Sequence, residues 1–535
     1  MAEQALTISA LAKAAGVARS TVDYYVRENL LPQPVRTPSG RCLYTVHHAR
    51  LLKRIGDLKL AGYSLAEIRT ELQPSVDEAL SEVSDLEVKE RDRTRRAILR
   101  AAAKEFGAHG YERSQVAAII QKAEVTPHAF YSRFSGKARV LIECFDAFVD
   151  WNNAVQKPLL AQVDDAGERL LLSLSGNLRS QGLGAEVLAL VRSEEVDGRG
   201  ELRVAAKRVW QKVVAPIVRD LGAMRGTGLA SVVPDELVAF SLVGAFDSTY
   251  LRSMWDQAYA REDLLRTHLW LYLAVQGALS GAVDIASRMS GYETRVRQIA
   301  AQTLSLSDFE PDDHDQYRRA VLKTATKEFA TNGYERTHVS AITREAGLAP
   351  QTFYAHFPSK RRLLVDCFGA FLRWNATLVD PVVATISDPS ERLLVYLGGN
   401  LRSQVLGAEM SAVVRSEGQG TDENLRSVAK RAWSIPVDHM ARDIASMRPS
   451  GFEAPVPDEL IAYSLIGAFD NTYVRSTWDD AFARYELLRT HLWLCLTIQA
   501  AMAGEIDASS HLDRYDAAIR EAAAREDDVT PAFAD

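Results

Sequence analysis

The sequence predicts an all-α protein in which one helical domain occurs twice, behind a shorter N-terminal domain of a different kind. The repeat is visible as a constant offset of 223 residues, which separates Phe106 from Phe329 and Trp151 from Trp374. Through both copies the apolar residues recur at three- and four-residue spacing, the period of an amphipathic helix, and no alternating strand pattern stands out. A chain of 535 residues is also too long for one ordinary core, which favours several domains.

Long segments of the duplicated domain align without a gap. ERLLLSLSGNLRSQGLGAE in the first copy matches ERLLVYLGGNLRSQVLGAE in the second, and GAFDSTYLRSMWDQA matches GAFDNTYVRSTWDDA. Between the copies, the acidic stretch 305–315 contains a proline and is typical of a linker. The predicted division is an N-terminal domain (1–74), a linker (75–92), a first head (93–139) and body (140–285), a flexible-coil linker (286–315), a second head (316–362) and body (363–508), and a tail (509–535).

The charge of the chain is unevenly distributed. The net charge is −7, yet residues 1–74 carry ten Lys/Arg against six Asp/Glu. Residues 93–139 carry ten against three, and residues 316–362 carry nine against three. Three basic surfaces on an acidic body are what contact with nucleic-acid phosphates requires. The alternative, solvated surface charge, explains one such block better than it explains three.

Nothing in the sequence predicts a cofactor, a metal site, an enzyme active site or a membrane partner. There is no Gly-rich phosphate loop and no nucleophile elbow, and no stretch of 18 uninterrupted apolar residues. The cysteines are few and lie outside any CxxC spacing, which fits a reducing cytosol, so we expect a cytoplasmic, nucleoid-associated protein. They are Cys42, Cys144, Cys367 and Cys495.

The head of the second copy contains the segment THVSAITREAGLAPQTFYAHFPSK, which is typical of a helix-turn-helix. Ile342 supplies packing for the first helix, Gly347 stands where the turn needs positive φ, and Pro350 suits the start of the second helix. Gln and Thr are residue types that read base edges, whereas Tyr and Lys hold phosphates. The candidate DNA-binding residues of this head are Gln351, Thr352, Tyr354, His356 and Lys360.

Both heads resemble the TetR family of transcription regulators. The string TFYAHFPSK closely matches that family's Thr-Leu-Tyr-x-His-Phe-x-x-Lys-like pattern, and TPHAFYSRFSGK in the first copy is a more distant match. The first copy has Ala129 where Thr352 stands and Glu124 where Gly347 stands, and a Glu at positive φ costs about 1 kcal/mol. We therefore expect unequal heads. The candidate DNA-binding residues of the first head are Thr126, His128, Tyr131, Arg133 and Lys137.

The N-terminal domain resembles the MerR family. TISALAKAAGVARSTVDYYVRENLL predicts two short helices around a turn at Gly16, and PQPVRTPSGRCLY predicts an extended wing. The resemblance implies DNA contacts by the Tyr-Tyr pair and by the arginines of the wing. The candidates are Thr21, Tyr24, Tyr25, Arg36 and Arg41.

The bodies are larger than the heads need for support, and they carry polar residues on apolar helical faces. The TetR resemblance implies that such a body binds a small molecule, and the apolar surroundings favour a hydrophobic or amphipathic effector. A structural network of satisfied polar groups is the alternative. The candidate ligand-binding residues are Asn177, Gln181, Asp247 and Tyr250 in the first body, and Asn400, Gln404, Asp470 and Tyr473 in the second.

These observations together predict a sequence-specific regulator of transcription that binds double-stranded DNA, a repressor that an effector releases. An effector-independent nucleoid-associated protein and an activator that works through the MerR-like head remain alternatives. The nearly identical apolar helices of the two copies predict an intramolecular pseudo-dimer. The chain is therefore expected to be monomeric.

Overall fold

A computed structural model gives the fold of the chain. It describes residues 5–37, 41–165, 169, 173, 200–226, 228–256, 258–301, 309–334, 336–400, 423–476, 478 and 481–523. In these residues the chain is helical apart from one small sheet, which confirms the all-α prediction. None of the described helices is long and apolar enough to cross a membrane.

The contacts divide the chain into two compact units. Of the described residues, the first contains those up to Glu105 together with Gln115–Val140, and the second contains Phe106–Ser114 and those from Leu141 to Ala523. The N-terminal domain and the helix-turn-helix of the first head therefore lie in the first unit. The second head and both bodies lie in the second unit.

The N-terminal domain combines three helices with a three-stranded antiparallel sheet in the order β1-β3-β2. Its helices turn at Gly16, which has a φ of 67°, as the sequence predicted. Leu11, Val22 and Ile55 are fully buried between the helices and form the centre of its core. The elements are β1 (Leu6–Thr7), α1 (Ile8–Ala15), α2 (Arg19–Arg27), β2 (Val35–Arg36), β3 (Cys42–Tyr44) and α3 (Val46–Leu60).

One long helix, α4 (Leu65–Arg113), continues from the N-terminal domain into the first repeat. The stretch 75–92, expected as a linker, is helical throughout, and Pro74 immediately before it lies inside the same helix. Residues 75–92 contain neither Gly nor Pro, the two residue types that most strongly end a helix. Two short helices follow, α5 (Val116–Lys122) and α6 (Pro127–Tyr131).

The remaining helices lie in the second unit, apart from the first turn of α7, and equivalent helices of the two copies keep the 223-residue offset. The first copy supplies α7 (Lys137–Leu160), α8 (Gly200–Met224), α9 (Asp235–Asp256), α10 (Arg261–Ser280), α11 (Ile285–Ser290) and α12 (Glu293–Ala301). The second supplies α13 (Gln316–Asn332), α14 (Val339–Glu345), α15 (Pro350–His356), α16 (Lys360–Val383), α17 (Pro389–Asn400), α18 (Glu423–Ser446), α19 (Asp458–Ser476), α20 (Arg484–Met502), α21 (Ala508–Leu512) and α22 (Asp516–Ala523).

Helices α9 and α19 of the two copies pack against each other at a glycine contact. A Cβ on Gly244 would lie 2.1 Å from the carbonyl oxygen of Gly467, and a Cβ on Gly467 would lie 2.0 Å from that of Gly244. Any side chain there would overlap the backbone of the facing helix, so both positions require glycine. The glycines thus let the two helix backbones touch.

Two reciprocal ion pairs flank the glycine contact. Arg252 Nε lies 2.6 Å from Glu459 Oε1, and Arg475 Nε lies 2.5 Å from Glu236 Oε1. Both arginine side chains are almost fully buried, at 4% and 6% exposed. Because the pairs are related by the repeat offset, the contact has pseudo-two-fold symmetry.

The helices that follow each pairing region cross to the other copy. Tyr292, next to α12, donates its hydroxyl to Asp388 of the second copy at 3.0 Å. Tyr515, its counterpart, donates to Asp165 of the first copy at 2.7 Å. Residues 286–301 were expected to be a flexible coil, and this expectation is wrong: they form α11 and α12 and pack on the second copy. The side chain of Ile299 on α12 fills the space beside Gly398, and this contact helps to hold α12 on the second copy.

Candidate nucleic-acid interface and interior cavity

The second head is the helix-turn-helix that the sequence predicted. Helices α14 and α15 meet at Gly347, whose φ is 68°. Ile342 and Phe353 are fully buried between the helices and brace them against the head. On the opposite side of α15, Tyr354 is 59% exposed and Gln351 is exposed. Thr352 is half-buried beside them, so α15 presents a polar face to solvent.

His356 and Lys360 are held more firmly than the sequence suggested. His356 Nδ1 lies 3.3 Å from the carboxylate of Asp315, and its ring stacks on Tyr317. Lys360 Nζ donates to the carbonyl of Tyr334 at 2.9 Å and lies 4.1 Å from the centre of that ring. Lys360 therefore ties the start of α16 to the end of the first helix of the head. This structural role could not be predicted from local sequence, because it depends on a contact between residues 26 positions apart.

The first head repeats the framework with different details. Glu124 occupies the turn with a φ of 54°, so a side chain stands in the left-handed region there, as expected. Thr126 caps α6 by accepting from the backbone N–H of Ala129 at 3.2 Å. Tyr131 is 59% exposed, the same fraction as Tyr354, and His128 is exposed too.

Arg133 of the first head folds back onto its own helix. Its Nη1 donates to the carbonyl of Ala129 at 2.8 Å and to the hydroxyl of Ser132 at 3.1 Å. Burial, with the nearby charge of Arg91, lowers the pKa of Arg133. Arg133 and Lys137 are both half-buried.

In the N-terminal head, the structure contradicts the predicted role of one tyrosine. Tyr24 is 39% exposed on α2, whereas Tyr25 is only 6% exposed and belongs to the hydrophobic core. Adjacent residues on a helix point about 100° apart, so the Tyr-Tyr pair cannot face DNA with both rings. Tyr25 is thus a packing residue. Arg36 and Arg41 are exposed on the wing, and Thr21 is half-buried on α2.

The first body contains a cavity with a volume of about 650 Å³. Asp247, which the sequence singled out, lines it and is 7% exposed. Tyr250 is half-buried and is not among the described residues of the wall. The walls are mainly aromatic and aliphatic, with rings from Phe145, Phe148, Trp210, Phe246 and Tyr272.

Of the other predicted ligand-binding residues, the structure describes the side chains of only two. Asp470 and Tyr473 of the second body are half-buried on α19. Asn177, Gln181, Gln404 and the side chain of Asn400 lie outside the described residues.

The cavity also carries polar groups that the sequence analysis missed. Gln156 donates to the side-chain oxygen of Asn152 at 3.2 Å, and both amides are buried. Trp210 is 2% exposed, and its indole N–H has no hydrogen-bond partner among the described residues. A buried donor without a partner is unfavourable, so an acceptor on a bound molecule would be stabilising there. Burial raises the pKa of Asp220, near the cavity wall's Arg169.

The fold and the heads define a protein with three helix-turn-helix domains. Residues 6–74 match the family described as MerR HTH family regulatory protein. Residues 98–144 and 321–367 both match the family described as bacterial regulatory proteins, tetR family. The chain therefore contains one MerR-type helix-turn-helix and two TetR-type heads, which confirms the resemblances inferred from the sequence.

A curated relative is the HTH-type transcriptional regulator TcmR of Streptomyces glaucescens. It is 32% identical over 140 residues, which cover 25% of this chain and 56% of that protein. The chain thus spans about half the length of the relative it matches.

Proposed function

We propose that this chain is a DNA-binding transcription regulator, a repressor whose heads contact double-stranded DNA and whose body binds a small hydrophobic or amphipathic effector. One observation carries the proposal. Each TetR-type head presents a tyrosine that is 59% exposed, Tyr131 or Tyr354, next to a fully buried phenylalanine, Phe130 or Phe353. A short helix braced on one side and polar on the other is the arrangement that enters a major groove.

Release of DNA by an effector is supported by the helices that line the cavity. Helix α7 begins six residues after the short helix α6 of the first head and supplies Phe145 and Phe148 to the wall. Helix α9 supplies Asp247 and also carries Gly244, which touches the second copy. A molecule in the cavity therefore contacts one helix that leads to a head and one that leads to the partner repeat. A shift of either helix changes how the heads are held.

Intramolecular pairing of the copies is the second part of the proposal. The reciprocal glycine contact and ion pairs described above are formed within one chain, so no second chain is needed to bury them. A tethered partner also has a high effective concentration, which favours pairing within the chain. Light scattering at micromolar concentration tests this. We expect a species of about the 59.1 kDa chain mass, and a dilution-resistant species of twice that mass would contradict it.

The DNA-binding part is tested by fluorescence anisotropy with the DNA upstream of the protein's own coding region and with a scrambled duplex of equal length. We expect the native fragment to bind at least tenfold more tightly at every salt concentration, because base contacts add to phosphate contacts. Equal affinity for both, with log K falling in parallel with log salt, indicates a nucleoid-associated protein instead.

A further inference from the structure

The two bodies differ at the positions that surround the cavity. In the first body, Ser173 and Lys157 are part of the wall. At the 223-residue offset the second body has Tyr396 in place of Ser173 and Asp380 in place of Lys157. A serine has thus been exchanged for a bulky ring, and a cation for a carboxylate.

The larger side chains of the second body contact one another. The rings of Tyr396 and His439 are 5.3 Å apart, and Tyr396 donates its hydroxyl to Asp380 at 3.4 Å. Asp380 also lies 3.6 Å from His439 Nδ1. In the first body the position of His439 is held by Pro216, which lines the cavity. In the second body, interacting side chains therefore occupy the positions that line the cavity in the first body.

An ion pair adds to the closure of the second body. Arg392 lies 2.7 Å from Asp443, and the two side chains are 18% and 13% exposed. Their counterparts in the first body are Arg169 and Asp220. Arg169 donates to the backbone carbonyls of Val163 and Asp164, at 3.1 and 2.6 Å, as Arg392 does to those of Ile386 and Ser387. Both of these first-body residues line the cavity.

The charges around the first cavity indicate what kind of molecule fits it. Among the described residues, five charged side chains line it. Lys157 and Arg219 are exposed, so they stand where the cavity meets solvent, whereas Arg169 and Asp220 are half-buried and Asp247 is buried among the aromatic rings of the deeper wall. An anionic group near the two cations is favourable, and an apolar body fits among the rings. In the second body Asp380 reverses one of these charges, which disfavours an anion there.

We propose that each chain binds one effector, in the first body only, and that this effector is an amphipathic molecule with an aromatic-sized apolar body and an anionic group. The inference rests on the proposed function and specifies its site. The second body is then a structural copy that keeps the partner helix for α9 but takes no ligand.

Titration with 1-anilinonaphthalene-8-sulfonate, an anionic aromatic probe, tests the inference on the full-length chain without DNA. N-phenyl-1-naphthylamine has the same aromatic body without the sulfonate and is the matched control. We expect one sulfonate probe per chain. Lys157→Asp should weaken its binding about fivefold more than binding of the neutral probe. Equal weakening of both probes would overturn the anionic part of the inference.

Exchange of residues between the bodies tests the location. Ser173→Tyr should abolish probe binding, whereas Tyr396→Ser with His439→Ala should raise the stoichiometry from one to two. The second variant keeps the test decisive if the first fails to fold. Two equal sites in the native chain would overturn this inference while leaving an effector-responsive regulator intact. Absence of any probe binding overturns the inference, whereas the anisotropy experiment decides separately whether the chain binds DNA.

Discussion

In the contact between the copies, Arg252 of the first copy and Arg475 of the second each form the same ion pair with a glutamate of the other copy. At the cavity the copies differ, because the equivalent residues Ser173 and Tyr396 have side chains of very different size. The contact between the copies has kept its symmetry, whereas the residues around the cavity and the turn of the helix-turn-helix have not. Within one chain, the pairing surface must remain complementary to itself, while a second cavity or an identical second head is not required for folding. The two copies can therefore diverge at positions that lie outside the pairing surface.

Both copies contain a buried histidine in contact with a threonine. His268 Nε2 lies 2.7 Å from Thr249 Oγ1, and His491 Nε2 lies 2.7 Å from Thr472 Oγ1. Each threonine hydroxyl donates to a backbone carbonyl, so each histidine is placed to donate its Nε2–H. Burial lowers the pKa of both histidines to about 3, which keeps them neutral in the folded protein.

The largest expected effect tests this shared core. Each folded-state pKa, about 3, is lower than the unfolded value of 6.5. The unfolded chain therefore binds the extra protons, and stability is lost as pH falls from 6.5 toward 3. Between pH 7 and 5 the loss should be about 2 kcal/mol for each histidine, or about 4 kcal/mol for the two together. His268→Gln and His491→Gln should each remove an equal part of this dependence in urea unfolding. Unequal parts would show that the two cores are not equivalent.

The next effect concerns the glycine contact. Gly467→Ala places a methyl group against the backbone of Gly244, so it should destabilise the second unit by about 3 kcal/mol. Gly244→Ala should cost the same because the contact is reciprocal. The control is Gly222→Ala in α8, where a Cβ has no neighbour within 4 Å and should stabilise by about 1 kcal/mol. Thermal unfolding measures all three, and tolerance of Gly467→Ala would mean that α9 and α19 do not touch in solution.

Base reading should differ between the heads. Thr352→Ala with Tyr354→Phe removes a methyl and two hydroxyls from the exposed face of α15, so specific binding should weaken by about 2 kcal/mol, roughly 30-fold. The first head already has Ala129 in place of the threonine. Tyr131→Phe, its matched variant, should therefore weaken binding less. Anisotropy with native and scrambled duplexes measures both, and losses of equal size would contradict the expected inequality.

The smallest effect lies in the turn of the first head. Glu124 has a φ of 54°, which is unfavourable for a residue with a Cβ. Glu124→Gly should stabilise the first head by about 1 kcal/mol, and Gly347→Glu should destabilise the second by a similar amount. Hydrogen exchange of the backbone amides in α5 and α14 reports each head separately. A loss of protection in Glu124→Gly would show that the glutamate side chain makes a compensating contact.

Much of the architecture could be predicted from local sequence. The offset between the copies, the turns at Gly16 and Gly347, and the exposed faces of α6 and α15 follow from periodicity and from the conformational preferences of single residues. The prediction for Tyr25 was wrong because residue type alone does not show which of two adjacent rings faces the core. The expected coil at 286–301 was wrong because its helices are stabilised by contacts with residues about 100 positions away, such as Tyr292 with Asp388.

What the sequence determined by itself is the class of each domain, since helix-turn-helix motifs, charge blocks and the repeat are properties of short segments read in order. Only the tertiary structure decided which polar residues meet around a cavity, and that the first body is open where Tyr396 and His439 occupy the second. Sequence spacing placed Asp247 on a buried helical face, but Asn152, Gln156 and Trp210 join it from two other helices. Burial and cavity volume depend on how separate helices pack, and packing is set by distant contacts that no local pattern contains.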